Sequence, residues 1–151
     1  MNWFLALKYL HVLLAITAVG SNITYGAWGA RSAAEPEHLG FALRGIQFID
    51  NRIANPSYAG LLLTGLILVF VGNIGYTTTW VLTAIGLWLV LVVLGGAIYT
   101  PTLKNQIQAA EGDGWQSPAY QALSRRGTTV GLVLAAVALL IVLDMVVKPH
   151  F

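Results

Sequence analysis

Apolar positions along these 151 residues neither alternate nor keep to one face; they run on. Four such runs, over 3–27, 56–72, 80–100 and 127–147, are built largely of Leu, Val, Ile, Ala and aromatic residues. A bilayer core about 30 Å thick takes about 20 helical residues to cross, and every run meets or approaches that length. In lipid only helices and closed barrels satisfy all backbone groups, and a barrel would show short alternating strands. The pattern predicts an all-α fold, a polytopic membrane protein whose residues 1–151 form one four-helix transmembrane bundle. Between 38 and 53 the periodicity changes. Leu39, Ala42, Leu43, Ile46, Ile49 and Ile53 recur at helical spacing opposite Arg44, Gln47, Asn51 and Arg52, which predicts an amphipathic helix along the membrane interface.

Breaks in the pattern set the boundaries. The first span frays at Gly26, Gly29 and Arg31, and Asn55-Pro56 reads as the cap and first turn of a fresh helix. Gly72-Asn73-Ile74-Gly75 predicts a tight connection, and Tyr99-Thr100-Pro101 reads as the stop of the third span. Residues 104–126 are polar and hold a turn at Glu111-Gly112-Asp113-Gly114; the fourth span closes at Lys148-Pro149. Five apolar residues precede Lys8, whereas a secretory signal is basic at its start, so the first run is expected to be a retained span.

Composition narrows the class further. With 57% hydrophobic and 9% charged residues, against about 25% charged in soluble domains, the chain lacks the polar surface that water requires. A net charge of +2 with basic residues confined largely to connections argues topology, not nucleic-acid binding. Arg31, Arg44 and Arg52 fall in the first connection and Lys104, Arg125 and Arg126 in the third. The positive-inside rule then puts both connections in the cytoplasm and both termini outside. The absence of Cys excludes disulfides, Fe–S clusters, thiolate metal sites and covalent haem. There is no phosphate-binding Gly loop and no Ser–His–Asp arrangement, so catalysis would need a cofactor to supply the chemistry.

The first span carries the candidate site. Lys8, His11, Ala15, Ala18, Asn22, Tyr25 and Gly29 recur at spacings of three or four and form one polar or small stripe. Ionisable groups inside a membrane face the bundle interior and mark function. His11 lies about 12 Å along the axis from Trp3, and Asp144 sits at a comparable depth in the fourth span. Two readings of the cluster Lys8, His11, Asn22 and Asp144 compete. In one, neutral His11 is an axial ligand of a b-type haem or a proton-relay member. In the other, Lys8 or His11 pairs with Asp144 and clamps the first helix to the fourth. A bis-His haem would need a second ligand from a dimer or a non-His partner, because His38 and His150 sit in polar flanks; Met145 qualifies by type, but its setting suggests packing.

Small residues at Gly127, Gly131 and Ala135, at Gly60 and Thr64, and at Gly86 let helices approach closely, within the chain or against a partner. Trp3, Trp80, Tyr99 and Trp115 read as interfacial anchors, and Asn22 and Asn73 as hydrogen-bonding glue.

Lys8-Tyr9-Leu10-His11 is similar to the Lys-x-Leu-His start of small bacterial integral membrane proteins. Asp50 with Asn55-Pro56 and Leu63-Thr64-Gly65, Tyr99-Thr100-Pro101 with Gln106, and Met145-Val146-Val147-Lys148-Pro149 resemble an uncharacterised family of four-helix predicted integral membrane proteins, a domain of unknown function. The resemblance covers nearly the whole chain and implies a bacterial cytoplasmic (inner) membrane location. The Lys-x-Leu-His start also resembles HemJ-type protoporphyrinogen oxidases, which implies haem binding at His11, and CopD-type copper-resistance proteins. The later-helix Lys of the former and the Met/His-rich character of the latter have no counterpart here, so neither activity carries over. Three functions follow as expectations: a haem-associated or redox protein acting through His11, a non-catalytic accessory subunit of a larger membrane complex or homo-oligomer, and a small transporter along the Lys8/His11/Asn22 stripe.

Overall fold

Four helical stretches long and apolar enough to span a bilayer, Trp3–Ala34, Pro36–Val71, Thr79–Gly112 and Pro118–Val147, make up the computed structural model, which describes residues 2–149. His150, weighed above as a haem ligand, lies outside the described residues. The elements are α1 (Trp3–Ala34), α2 (Leu39–Ile49), α3 (Asn55–Val71), α4 (Thr79–Leu94), α5 (Thr100–Gly112) and α6 (Pro118–Val147). The stretch from α2 to α3 is joined by a π turn at Asp50–Ala54, and that from α4 to α5 by another at Gly95–Tyr99.

Both prolines that read as helix boundaries are instead passed through. Proline removes a donor and crowds the carbonyl four residues back. Here each proline follows a turn one residue wider than α: the Asn55 N–H bonds to the Asp50 carbonyl and the Thr100 N–H to that of Gly95. The wider turn accommodates Pro56 and Pro101 without ending the helix. Asn55 therefore caps nothing; its side chain turns to Asp50 instead. The fourth helix likewise starts nine residues earlier than the apolar run. Ser117 is its N-cap, with the hydroxyl accepting from the Tyr120 N–H at 3.1 Å, and Pro118 follows in the first turn.

At 32 residues α1 is about 48 Å long and overshoots the bilayer core by roughly 18 Å. The surplus stands at the end carrying Arg31, Arg44, Arg52, Lys104, Arg125 and Arg126, hereafter the basic end. There α2, α5 and the first turns of α6 build a small core from Leu39, Leu43, Ile46, Leu103, Ile107 and Tyr120. The amphipathic segment expected over 38–53 is instead a helix over Leu39–Ile49 continuous with the second span; its apolar face at Leu39, Leu43 and Ile46 is covered by protein, while Ile53, Phe41 and Phe48 are exposed. An Arg44–Glu111 ion pair ties α2 to α5 outside this core.

Elsewhere α1 packs on α3, and α6 on α4 and α5. Small residues make these approaches possible: a side chain at Gly60 would begin 2.9 Å from Leu14, and one at Gly127 3.2 Å from Gln106. Gly86, by contrast, faces open space. Two aromatic anchors are corrected. Trp80 is only 7% exposed and forms a core with Val69 and Val81, against which Met145 packs; Tyr99 stacks on Tyr25 inside the bundle. Trp3 and Trp115 are exposed, as anchors should be. Asn73 is exposed and takes a left-handed backbone (φ 51°) that turns the chain between α3 and α4, a conformation Asn tolerates well.

Candidate functional site

The polar stripe of α1 divides into two places. Near its start, His11 meets α3: its Nδ1 lies 2.7 Å from the Thr64 hydroxyl. That hydroxyl already donates to the Gly60 carbonyl at 2.7 Å, so its oxygen accepts and His11 donates. With the hydroxyl donating there, the ring carries its proton on Nδ1 and keeps the Nε2 lone pair. Gly65 makes room for the ring, since a Cβ there would sit 3.2 Å from its Cε1.

The expected clamp to α6 is not formed. Lys8 is exposed, and the ion pairs among the described residues join Arg31 to Glu35, Glu37 to His38 and Arg44 to Glu111. Asp144 is buried, and its Oδ2 has no hydrogen-bond partner. Lys148, one turn on, places its ammonium 5.4 Å over the Trp80 ring. Lys8, His11 and Asp144 thus share an end of the bundle without sharing a contact of the expected kind.

About 16 Å further along α1, Asn22 opens a second, larger site. A cavity of about 790 Å³ lies between α1, α3, α4 and α6, within the range of small-molecule pockets. Asn22 donates to the Tyr58 hydroxyl at 2.8 Å, and the Trp88 indole donates to the Tyr58 carbonyl at 3.1 Å. These bonds tie α1 to α3 and α3 to α4. Deeper toward the basic end, the Tyr25 hydroxyl donates to Asp50 Oδ1 at 3.3 Å and Asn55 donates to Oδ2 at 3.4 Å. Tyr99 stacks on Tyr25 with ring centroids 6.3 Å apart. Gln106 and Tyr120, themselves bonded at 3.3 Å, close the floor.

Glycine shapes the walls. Gly26 and Gly29 of α1 and Gly95 and Gly96 of the second π turn line the cavity, and a Cβ added at any of the four would meet nothing within 4 Å. Residues of both π turns, Asp50 of the first and Gly95, Gly96 and Tyr99 of the second, line this one volume. Such turns recur at functional sites.

Of the residues read from sequence, only Asn22 of the four-residue cluster reaches the cavity. Asp50, Asn55, Tyr99 and Gln106, which carried part of the family resemblance, all line it. Tyr58 and Trp88 had no sequence signal, because both read as ordinary apolar-run residues.

The fit to a haem is partial. His11 has the tautomer a ligand needs, with its second nitrogen held by Thr64 as ligating imidazoles usually are. The cavity has room, but no His, Met or Lys is among the described residues lining it, and His11 is not either. No group of three or more His, Cys, Asp or Glu suited to a metal ion occurs among the described residues.

No curated protein and no solved structure matches the chain. One family model does, that described as Predicted integral membrane protein (DUF2269), over residues 5–149. That span takes in the His11 pair, both π turns and the whole cavity lining, and the chain belongs to this family of integral membrane proteins.

Proposed function

We propose that this protein is a membrane-embedded binding protein that takes one amphipathic molecule into the cavity between its spans. The observation that carries the reading is the cavity itself, whose one charged lining residue among those described is Asp50. Asp50, Asn55, Gln106 and Tyr120 lie at the basic end, while Leu91, Leu134 and Ala135 line the part inside the apolar runs. Under the positive-inside rule the basic end faces the cytoplasm of a bacterial inner membrane, which sets the polar residues at headgroup level and the apolar ones among acyl chains. The test is mass spectrometry of small molecules retained by the detergent-purified protein, compared with Gly29→Leu and Gly96→Leu. The wild type should retain a molecule that both variants lose; equal retention by all three would refute the reading.

A second reading is favoured by one observation, the 2.7 Å contact of His11 Nδ1 with the Thr64 hydroxyl, which holds the ring by one nitrogen. In it, His11 would hold a b-type haem, with a further ligand supplied by a second copy of the chain or another membrane subunit. Such a group would supply electron transfer, and Thr64 would hold the ring in its ligating orientation. Absorption spectra of the protein, oxidised and then reduced with dithionite, decide it. A Soret band that shifts on reduction and disappears in His11→Ala supports it; a featureless spectrum after haem supplementation removes it.

A further inference from the structure

Asp50 is the one charged side chain among the described residues lining the cavity. It is 8% exposed, has no ion-pair partner among the described residues, and receives two long hydrogen bonds, 3.3 Å from Tyr25 and 3.4 Å from Asn55, with the Thr100 hydroxyl a further donor to it. A buried carboxylate without a cation or a full set of short donors is a costly arrangement. Around it stand electron-rich faces: Tyr25 and Tyr99, stacked at an interplanar angle of 17°, with Tyr58 and Trp88 in the same cavity. A carboxylate among aromatic rings is complementary to a cation, which gains from the charge and from the ring quadrupoles together.

We infer that the polar end of this cavity recognises an organic ammonium head, so that the occupant is a cationic amphiphile. The inference rests on the binding reading above and specifies its ligand. A metal ion is a poorer match, because no second carboxylate or imidazole is among the described residues lining the cavity to complete a coordination shell. An anionic head would be set against Asp50 with no Arg or Lys among the described lining residues to offset it. The apolar lining by Leu91, Leu134 and Ala135 continues from the head site into the bundle, which suits an alkyl chain.

The test uses the full chain in bilayer nanodiscs and follows tryptophan fluorescence on titration with tetradecyltrimethylammonium, tetradecanol and tetradecyl sulfate, expressed per mole fraction in the bilayer. The cationic probe should bind at least about tenfold more tightly than the alcohol, a difference of about 1.4 kcal/mol, and the sulfate least of all. Asp50→Asn should bring the cationic probe to within about twofold of the alcohol. If Asp50→Asn does not fold, the wild-type series decides alone, and equal affinity for all three heads overturns the inference. Equal binding that Gly96→Leu abolishes would overturn the cationic head and leave the binding cavity standing. Binding of none of the probes would overturn the cavity reading and the inference with it. Tetramethylammonium, which has no chain, should bind at least about tenfold more weakly than the long probe; equal affinity would make the occupant a soluble amine and overturn the amphiphile.

Discussion

The His11–Thr64 bond offers the sharpest energetic test, because the Thr64 hydroxyl sits 2.7 Å from both the His11 nitrogen and the Gly60 carbonyl. Thr64→Val keeps the volume and the β-branch. It leaves the Gly60 carbonyl in the helix ladder but strands the His11 N–H in half-buried apolar surroundings. An unsatisfied buried donor costs about 1–3 kcal/mol, whereas hydrogen bonds between membrane helices average about 0.6 and reach about 1.7 kcal/mol. The expected loss for Thr64→Val is therefore about 1 kcal/mol. His11→Leu removes the donor and leaves the Thr64 hydroxyl satisfied by Gly60. The double variant should thus be less destabilised than the sum of the singles by about 0.6–1.7 kcal/mol. Reversible unfolding in mixed micelles with increasing SDS, followed by far-UV circular dichroism, measures all three. Additivity within about 0.3 kcal/mol would refute the bond and the tautomer assignment with it. The same cycle on His11→Leu and Asp144→Asn should be additive; a coupling above about 0.5 kcal/mol would restore the clamp to α6.

Three further outcomes are expected. Trp80→Ala should cost about 3 kcal/mol or more by the same unfolding titration, because the ring is core, while the exposed Trp3→Ala should cost less than about 0.5 kcal/mol; equal losses would contradict the packing. Gly114→Ala should destabilise by about 1 kcal/mol or more, since φ of +84° at the α5–α6 turn strains any side chain, and an unchanged melting temperature would argue against that turn. Because the chain has no Cys, single cysteines report topology cleanly. Asp113→Cys should resist a membrane-impermeant maleimide in intact cells, and Gly75→Cys should react; the opposite pattern would invert the proposed orientation.

How far the chain could be read depended on which force was at work. Each apolar run meets or approaches the length that lipid imposes, so the number of spans was fixed by local composition. The turn at Gly114 was equally local and stands where the pattern put it, whereas of the amphipathic face read over 38–53 only Leu39, Ala42, Leu43 and Ile46 are buried apolar positions and Ile53 is exposed. The prolines misled because their effect depends on whether the preceding turn widens, which neighbours on other helices decide. Trp80 and Tyr99 misled because an aromatic at a span's end suits both an interface and a core. The start of α6 was legible after all: Ser117-Pro118 is a cap and first-turn pair that the polar composition of 104–126 concealed.

What the sequence determined by itself was the solvent, the four crossings, the basic end and the presence of a polar stripe on the first helix. Those follow from hydrogen-bond satisfaction and hydrophobicity, which act residue by residue along the chain. The tertiary structure alone decided that His11 answers to Thr64 and not Asp144, and that Asp50, Tyr25, Tyr58 and Tyr99 converge on one cavity. Those groups come from two helices and two π turns, and their meeting depends on helix rotation. Rotation in lipid is set by which small residues let backbones approach, a property of pairs of helices that no single segment contains.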